Sequence, residues 1–500
     1  MIQRNSKILL FAFLGAIIAV ILKRIMTIMS EPPNQAPAIK HAVVVGSGLA
    51  GLSASSQLIA SGISVYLLER AAKPGGNSIK ASSGINGAPT KYQPGPPLSD
   101  SSFYDDTLKS TGSVLSTATA QRESLISTLT KSSSDAISWL VDEKGVDLSV
   151  VAQLGGHSFP RTHRGAGKTP PGASIVMTLL KSLKESPLFH LETSCLVTEV
   201  LRTNEAVHGV RYGCGGEEKI LHGPVISSSG GFGGDAEGML AEHRPDLGGF
   251  PSTNEPRPGS QKLLTSIGAQ LLDMDLVQVH PTSFIDPKDE LSPVKFLAAE
   301  LLRGEGGLLL RDGRRFVNEM ETRKHVTDAV MHVPAANDLP RQWDVQLVID
   351  EGVYNAASSH VDFYLWKGLM QKTTISNLTG DAFTAIKAYA DAAAGNSEDP
   401  WERKQFGHWT LQEPSLDSVV YVGSVTPAVH FTMGGVVISP RSEVLDMAGN
   451  PIKGLWAAGE VTGGIHGENR LGGSSLLECV VFGRIAGEQT VKFLNTNKNA

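Results

Sequence analysis

Ala42-Val43-Val44-Val45-Gly46-Ser47-Gly48-Leu49-Ala50-Gly51 is the stretch that decides the fold. Its apolar start reads as a short buried strand, and the GxGxxG spacing of Gly46, Gly48 and Gly51 follows without a break. Leu49 to Ser61 is helix-compatible, and Val65 to Leu68 reads as a second strand ending at Glu69. Together these parts make one dinucleotide-binding unit. Glycines permit the tight turn and a close backbone approach to pyrophosphate, the helix N-terminus offers free N–H groups, and the acid reaches a ribose hydroxyl. A lone GxGxxG is a weak signal, but here strand, helix, second strand and an acid about 20 residues on all agree. The unit by itself does not separate NAD from FAD.

Later segments do. Phe189 to Leu201, Val207 to Tyr212 and Lys219 to Leu221 read as short alternating strands, and Pro224-Val225-Ile226 returns into Ser227-Ser228-Ser229-Gly230-Gly231. Near the C-terminus another strand, Gly454 to Ala458, ends in Gly459-Glu460. A ribose-binding unit, an interposed β-meander and a late strand capped by glycine and an acid resemble the two-dinucleotide FAD fold, a Rossmann-like α/β architecture. In that fold the late acid, here Glu460, meets the ribityl chain. No second GxGxxG unit stands elsewhere, which argues against a built-in NAD(P)H site.

With 500 residues, 41% hydrophobic and 19% charged, the chain has ample length for a large core, and wholesale disorder is excluded. The formal charge of -6, without a long basic run, argues against nucleic acid as a partner. Cys195, Cys214 and Cys479 form no CxxC pair, so zinc and iron–sulfur clusters and c-type haem are excluded and no metal is expected. All three cysteines read as buried small apolar side chains rather than a disulfide framework. Residues 1–35 stand apart. Arg4 and Lys7 precede an apolar run from Ile8 to Leu22, closed by Lys23, Arg24 and a Pro-rich linker. An uncleaved signal anchor and a mitochondrial-type presequence both fit, and Met26 and Met29 offer later starts without the run.

At Gly75 to Gly87 the sequence resembles the flavin-contacting loop of the fumarate reductase and succinate dehydrogenase flavoprotein family. Further blocks match. They are Gly155-Gly156-His157-Ser158 with Arg161 to Arg164, His280-Pro281-Thr282, Gly313 to Glu319, His430 to Gly435, and Asn469 to Ser475. Residues 40–490 are covered, and Lys295 to Glu300 is most similar to the soluble fungal fumarate reductases. The resemblance implies an FAD-binding domain split into 36–275 and 430–495 around an inserted α+β capping domain, 276–429, with the site between flavin and cap. It implies cofactor contacts from Gly46, Gly48, Leu49, Ala50 and Gly51, from Glu69 and Arg70, and from Asn77, Ser78, Ser82, Ser83 and Gly84. Glu460, Ser475 and Leu476 complete the set. Asn77 stands where membrane-complex relatives attach FAD through His, so FAD is expected to bind without a covalent link.

The resemblance also assigns chemistry. A dicarboxylate needs cationic or hydrogen-bonding groups at both ends. Arg470 and His430 are expected to hold one carboxylate and His280 the other, since an arginine fork matches a carboxylate bidentately. Arg323 matches the family's proton-donating arginine, and Glu300 and Arg303 match the relay that reprotonates it. Ala299 departs from many bacterial relatives, which carry Thr there, so one hydroxyl contact to substrate is missing.

The expectation is therefore an FAD-dependent fumarate reductase that forms succinate. The alternatives are reduction of another activated alkene acid such as urocanate or methacrylate, a flavin oxidase acting on a small acid, or a catalytically silent FAD-binding redox-partner protein. The electron donor is expected to be reduced free flavin or a redox protein. Residues 8–22 suggest membrane association, in the mitochondrion or endoplasmic reticulum, with a cytosolic form from a later start.

Overall fold

The computed structural model describes residues 41–94, 100–116, 119–204 and 206–496. The apolar run 8–22 lies outside them, and among the described residues no helix is long and apolar enough to cross a membrane.

The strand His41–Val45 holds the middle of a six-stranded sheet. Ala42, Val43 and Val44 are fully buried, as expected of a parallel strand covered on both faces. It pairs in parallel with Ser64–Glu69 on one side and Val225–Ser227 on the other. Pro451–Ala457 adds beyond Val225–Ser227, with the antiparallel strand Glu443–Leu445 at that edge. The sheet therefore joins strands from early and late in the chain.

Two sequence readings change here. Phe189 to Leu201 is two strands: Phe189–Thr193 pairs in parallel with Ser64–Glu69, and the meander proper is Cys195–Arg202, Val207–Cys214 and Glu217–His222. Ser194, at φ 57°, turns the chain between them. The second change concerns the cysteines. Cys195 and Cys214 stand opposite each other across the first meander pair, Cα atoms 4.4 Å apart, and are joined in a disulfide. Strand register, which a cysteine count does not reveal, brings them face to face. Cys479 is the free cysteine.

The crossover helix Leu49–Ala60 packs against the C-terminal helix Ser474–Thr496. The approach is backbone to backbone. A side-chain carbon at Gly483 would stand 2.5 Å from the Ala50 carbonyl oxygen, and one at Gly487 2.7 Å from that of Ala54.

A second, antiparallel sheet of seven strands is built around Val419–Thr432. On one side lies Val277–Phe284; Val345–Ile349 and Gln371–Thr374 also pair with it. The expected boundary at 276 falls just before Val277–Phe284, whereas that at 429 falls inside the long strand. The pairing of Val277–Phe284 with Val419–Thr432 is broken twice. Gln278 opposes Phe431 and Val279 opposes Val429, so His430 is an extra residue. His280 opposes Ala428 and Ser283 opposes Thr426, leaving Pro281 and Thr282 against Pro427. Prolines cannot donate to a ladder, and bulges of this kind bend the strand and re-aim its side chains.

Candidate active site

The turn after the first strand forms a cradle. Gly46 has φ +103°, and a side-chain carbon there would lie 2.4 Å from the Ser228 carbonyl oxygen. At Gly48 a side-chain carbon would meet only Ser78 Oγ, at 3.5 Å, so the backbone is open on its other side. The helix Leu49–Ala60 starts from Gly48 without a side-chain cap. The N–H groups of its first turn, Leu49 to Gly51, have no partner inside the helix, and Leu49 N–H donates to Ser78 Oγ at 3.1 Å. A helix start of this kind, with N–H groups free of intrahelical partners, suits an anion such as phosphate. Glu69, buried at the end of the second strand, accepts from Ser47 N at 3.0 Å and Ala71 N at 2.7 Å. Arg70 turns elsewhere, donating to the Pro258 carbonyl at 2.8 Å.

The loop after the second strand is fixed from several sides. Asn77 Nδ2 donates to Asn254 Oδ1 at 2.5 Å. Ser82 and Ser83 are buried, and Ser82 Oγ is a buried polar atom without a hydrogen-bond partner. The Ser82 carbonyl accepts from Nε2 of His360, on the helix Ser358–Lys367, at 2.8 Å. Gly84 passes close to the His163 carbonyl. Ser475 and Leu476 lie in the first turn of Ser474–Thr496. Asn86 Nδ2 ties that turn down by donating to Ser474 Oγ at 3.0 Å and to the Gly472 carbonyl at 2.8 Å. Glu460 accepts from Thr432 N at 3.0 Å, and burial pushes its carboxyl up to about 7. A dinucleotide cofactor fits this cradle, its open glycine and its unpartnered Ser82 hydroxyl.

Next to it the predicted catalytic and substrate residues come together. Arg323 opens the helix Arg323–Met331, whose cap Thr322 accepts from His325 N. Its Nε donates to Glu300 Oε2 at 2.7 Å, and its Nη2 contacts the same oxygen. Its Nη1 donates to Gln278 Oε1 at 3.0 Å. A guanidinium has five N–H donors, so two remain after these three bonds. Arg303 Nη2 lies 3.4 Å from Glu300 Oε1, and its Nη1 donates to the Glu319 carbonyl at 2.8 Å. Burial alone would raise the Glu300 carboxyl, yet Arg323 and Arg303 hold it below the ordinary range. Gly472 makes room: a side-chain carbon there would stand 2.7 Å from Glu300 Oε2 and 3.3 Å from Arg323 Nη2.

The bulged strand pair presents two histidines. His280 and His430 meet edge to face, ring centroids 5.3 Å apart. Thr253 Oγ1 lies 3.0 Å from His430 Nδ1, and His280 Nδ1 donates to the Thr282 carbonyl at 2.9 Å. His280 Nε2 is buried without a partner. Both rings are held well below the usual histidine pKa, His280 by burial and then by Arg323, His430 by burial and then by Arg323 and Arg470. Arg470 is buried over the Phe431 ring at 4.3 Å, with its Nε unpartnered. Burial, and then Arg323, lower it to about 9. Such a concentration of cationic and donor groups, several with no protein partner, suits a small dianion.

Gln278 escaped the sequence reading. Its Nε2 donates to Asn469 Oδ1 at 3.2 Å and to the Arg470 carbonyl at 3.0 Å, while its Oε1 holds Arg323. Strand alternation was the available signal, since residues two apart share a face and Gln278 is two before His280. His157 was quoted only as part of a motif block. Its Nε2 lies 3.0 Å from the Gly472 carbonyl and its Nδ1 accepts from Arg161 at 3.0 Å, which steadies the loop beside Glu300.

Comparison with known proteins agrees with this geometry. The FAD binding domain family matches residues 41–476. Fumarate reductase 1 of Saccharomyces cerevisiae is 43% identical over 468 residues, covering 89% of this chain and 97% of its own. Fumarate reductase of Schizosaccharomyces pombe is 39% identical over 471 residues, covering 90% and 88%. Among solved structures, the open conformation of a flavocytochrome c3 fumarate reductase superposes with a TM-score of 0.71 at 29% identity, covering 95% of this chain and 81% of that one.

Proposed function

The chain belongs to the FAD-binding flavoprotein family that includes the fumarate reductases, and from that premise we propose that it reduces fumarate to succinate. The observation that carries this reading is the meeting of buried Arg323, Glu300, His280 and Arg470 with half-buried His430 beside the dinucleotide cradle. FAD is the cofactor, held by the glycine turn, Glu69 and the first turn of Ser474–Thr496. When bound it supplies a hydride to one alkene carbon.

The protein's residues do the rest. Arg470 and His430 hold one carboxylate and His280 the other. Nδ1 of His280 donates to the Thr282 carbonyl at 2.9 Å, so its Nε2 donates to a carboxylate in the imidazolium form, which a bound dianion favours, while His430, with Nδ1 engaged by Thr253 Oγ1, keeps Nε2 for the substrate. Hydride arrival builds negative charge on the second alkene carbon, and an Nη proton of Arg323 not engaged by Glu300 or Gln278 neutralises it. A proton from solvent, passed by Arg303 to the Glu300 carboxylate that faces it, goes on from Glu300 to the neutral Arg323 side chain and restores its guanidinium. One hydride and one proton convert the alkene to the alkane, and the product leaves as the dianion. FAD binds without a covalent link, because Asn77 offers an amide where an imidazole would be needed.

The electron donor is reduced free flavin or a redox protein, and residues 8–22 address or anchor the chain. The Cys195–Cys214 disulfide favours the endoplasmic reticulum over the mitochondrial matrix. The central test photoreduces the bound flavin and follows its reoxidation by fumarate, urocanate, methacrylate and oxygen. Fumarate should be fastest by a wide margin, and equal rates with urocanate or methacrylate would replace the dicarboxylate reading with a broader alkene-acid reductase.

A further inference from the structure

Away from the flavin cradle, one group of metal-ligating side chains gathers at the start of the meander. Glu192 is the last residue but one of the parallel edge strand, Ser194 turns the chain at φ 57°, and Cys195 begins the meander opposite Cys214. The ligand atoms of Glu192, Cys195 and Cys214 all lie within 4.8 Å of one another. Glu192 Oε2 stands 3.9 Å from Cys195 Sγ and 3.7 Å from Cys214 Sγ. Around a tetrahedral zinc ion, with bonds of about 2.3 Å to sulfur and about 2.0 Å to oxygen, such atoms stand roughly 3.5 Å apart. Tyr212 Oη donates to the same Glu192 oxygen at 3.4 Å, an outer hydrogen bond of the kind that orients a ligating carboxylate. Cys195 is buried while Glu192 and Cys214 are half-buried, so a fourth position faces water.

We propose that Glu192, Cys195 and Cys214 form a redox-gated site for one thiophilic divalent cation of the zinc and cadmium class. The joined sulfurs are the closed state. Opening it takes two electrons and two protons. With a phosphine as reductant, phosphorus takes up the oxygen of one water, the S–S bond breaks, and the two hydrogens of that water end on the two sulfurs. Cation binding then releases those two protons as both thiols become thiolates, and Glu192 adds one oxygen ligand. The sulfurs separate to ligand spacing by side-chain rotation, with the strands in register.

The test uses the full, FAD-loaded chain. It is reduced with a phosphine under anaerobic conditions, freed of reductant, and titrated with Cd²⁺ while the ultraviolet sulfur-to-cadmium charge-transfer band is followed. One Cd²⁺ per chain and two released protons are expected, with no band in the untreated protein. Cys479→Ser should behave as the parent, and Cys214→Ser should lose the band. Glu192→Gln keeps both thiols and should bind on the order of tenfold more weakly. Should Cys214→Ser fail to fold, Glu192→Gln carries the comparison, with thiol counting to show the pair reduced. The proposal is overturned if reduced protein takes up no Cd²⁺, if binding follows Cys479, or if Glu192→Gln binds as tightly as the parent.

Discussion

Gln278 holds Arg323: its Oε1 accepts from Nη1 at 3.0 Å while its Nε2 donates to the Arg470 carbonyl at the same distance. One amide thus spaces the guanidinium of the proposed proton donor from the backbone of the proposed carboxylate holder. Replacing it by a side chain of similar size without the amide, Gln278→Met, leaves Arg323 one bond short. Turnover should fall about 10- to 100-fold, costing about 1.4–2.8 kcal/mol of transition-state stabilisation, with FAD content unchanged. Steady-state kinetics check this, and the loss should sit in kcat more than in KM.

Arg323→Gln keeps a polar side chain but removes the transferable proton. Fumarate turnover should drop about a thousandfold or more, on the order of 4 kcal/mol, while flavin binding and photoreduction survive. Stopped-flow reoxidation by fumarate decides it. A near-normal rate would mean that another group delivers the proton and that the Glu300–Arg303–Arg323 cluster is structural.

Arg470 sets an alkaline limit. Burial and Arg323 bring its pKa down to about 9, so the free enzyme loses that positive charge as pH rises through this value. A dianionic substrate favours the charged form and draws the proton back, which makes binding weaker with rising pH. KM for fumarate should climb above pH 9, and Arg470→Gln should have a high KM that no longer changes there.

On the acid side, His157, His163 and His360 are each held near 4 by burial. The unfolded chain protonates these rings below about 6.5, whereas the folded chain resists until about 4, so stability falls as pH drops across that window. Each ring costs about 3 kcal/mol by the lower end. Thermal unfolding at pH 7.5, 6 and 5 should show the decline. His360→Asn, which keeps a donor for the Ser82 carbonyl, should make the decline shallower by about a third.

Acid precipitation checks the flavin linkage. All FAD should pass to the supernatant, and yellow colour left in the washed pellet would overturn the reading of Asn77.

The dinucleotide unit was legible because strand, glycine turn, helix and acid are contiguous in sequence and each follows a local rule. Arg323, Glu300, His280, His430 and Arg470 were legible only through matching motif blocks, since nothing local in the chain says that residues 280 and 470 meet. Gln278 was missed because an uncharged amide has no signature until a strand face is known. Cys195 and Cys214 were misread for a related reason: register is a property of two strands, and Ser194 breaks the segment that had read as one.

The contact of Gly483 and Gly487 with the carbonyls of Ala50 and Ala54 also sets an order of events during protein synthesis. The helix Leu49–Ala60 leaves the ribosome long before the helix Ser474–Thr496 that seats against it. Until residues beyond 474 have emerged, the nascent chain has neither the sheet strand Pro451–Ala457 fully backed nor the first turn that closes the flavin site. Cofactor capture therefore waits for the helix Ser474–Thr496, and a ribosome stalled before it should hold a colourless chain.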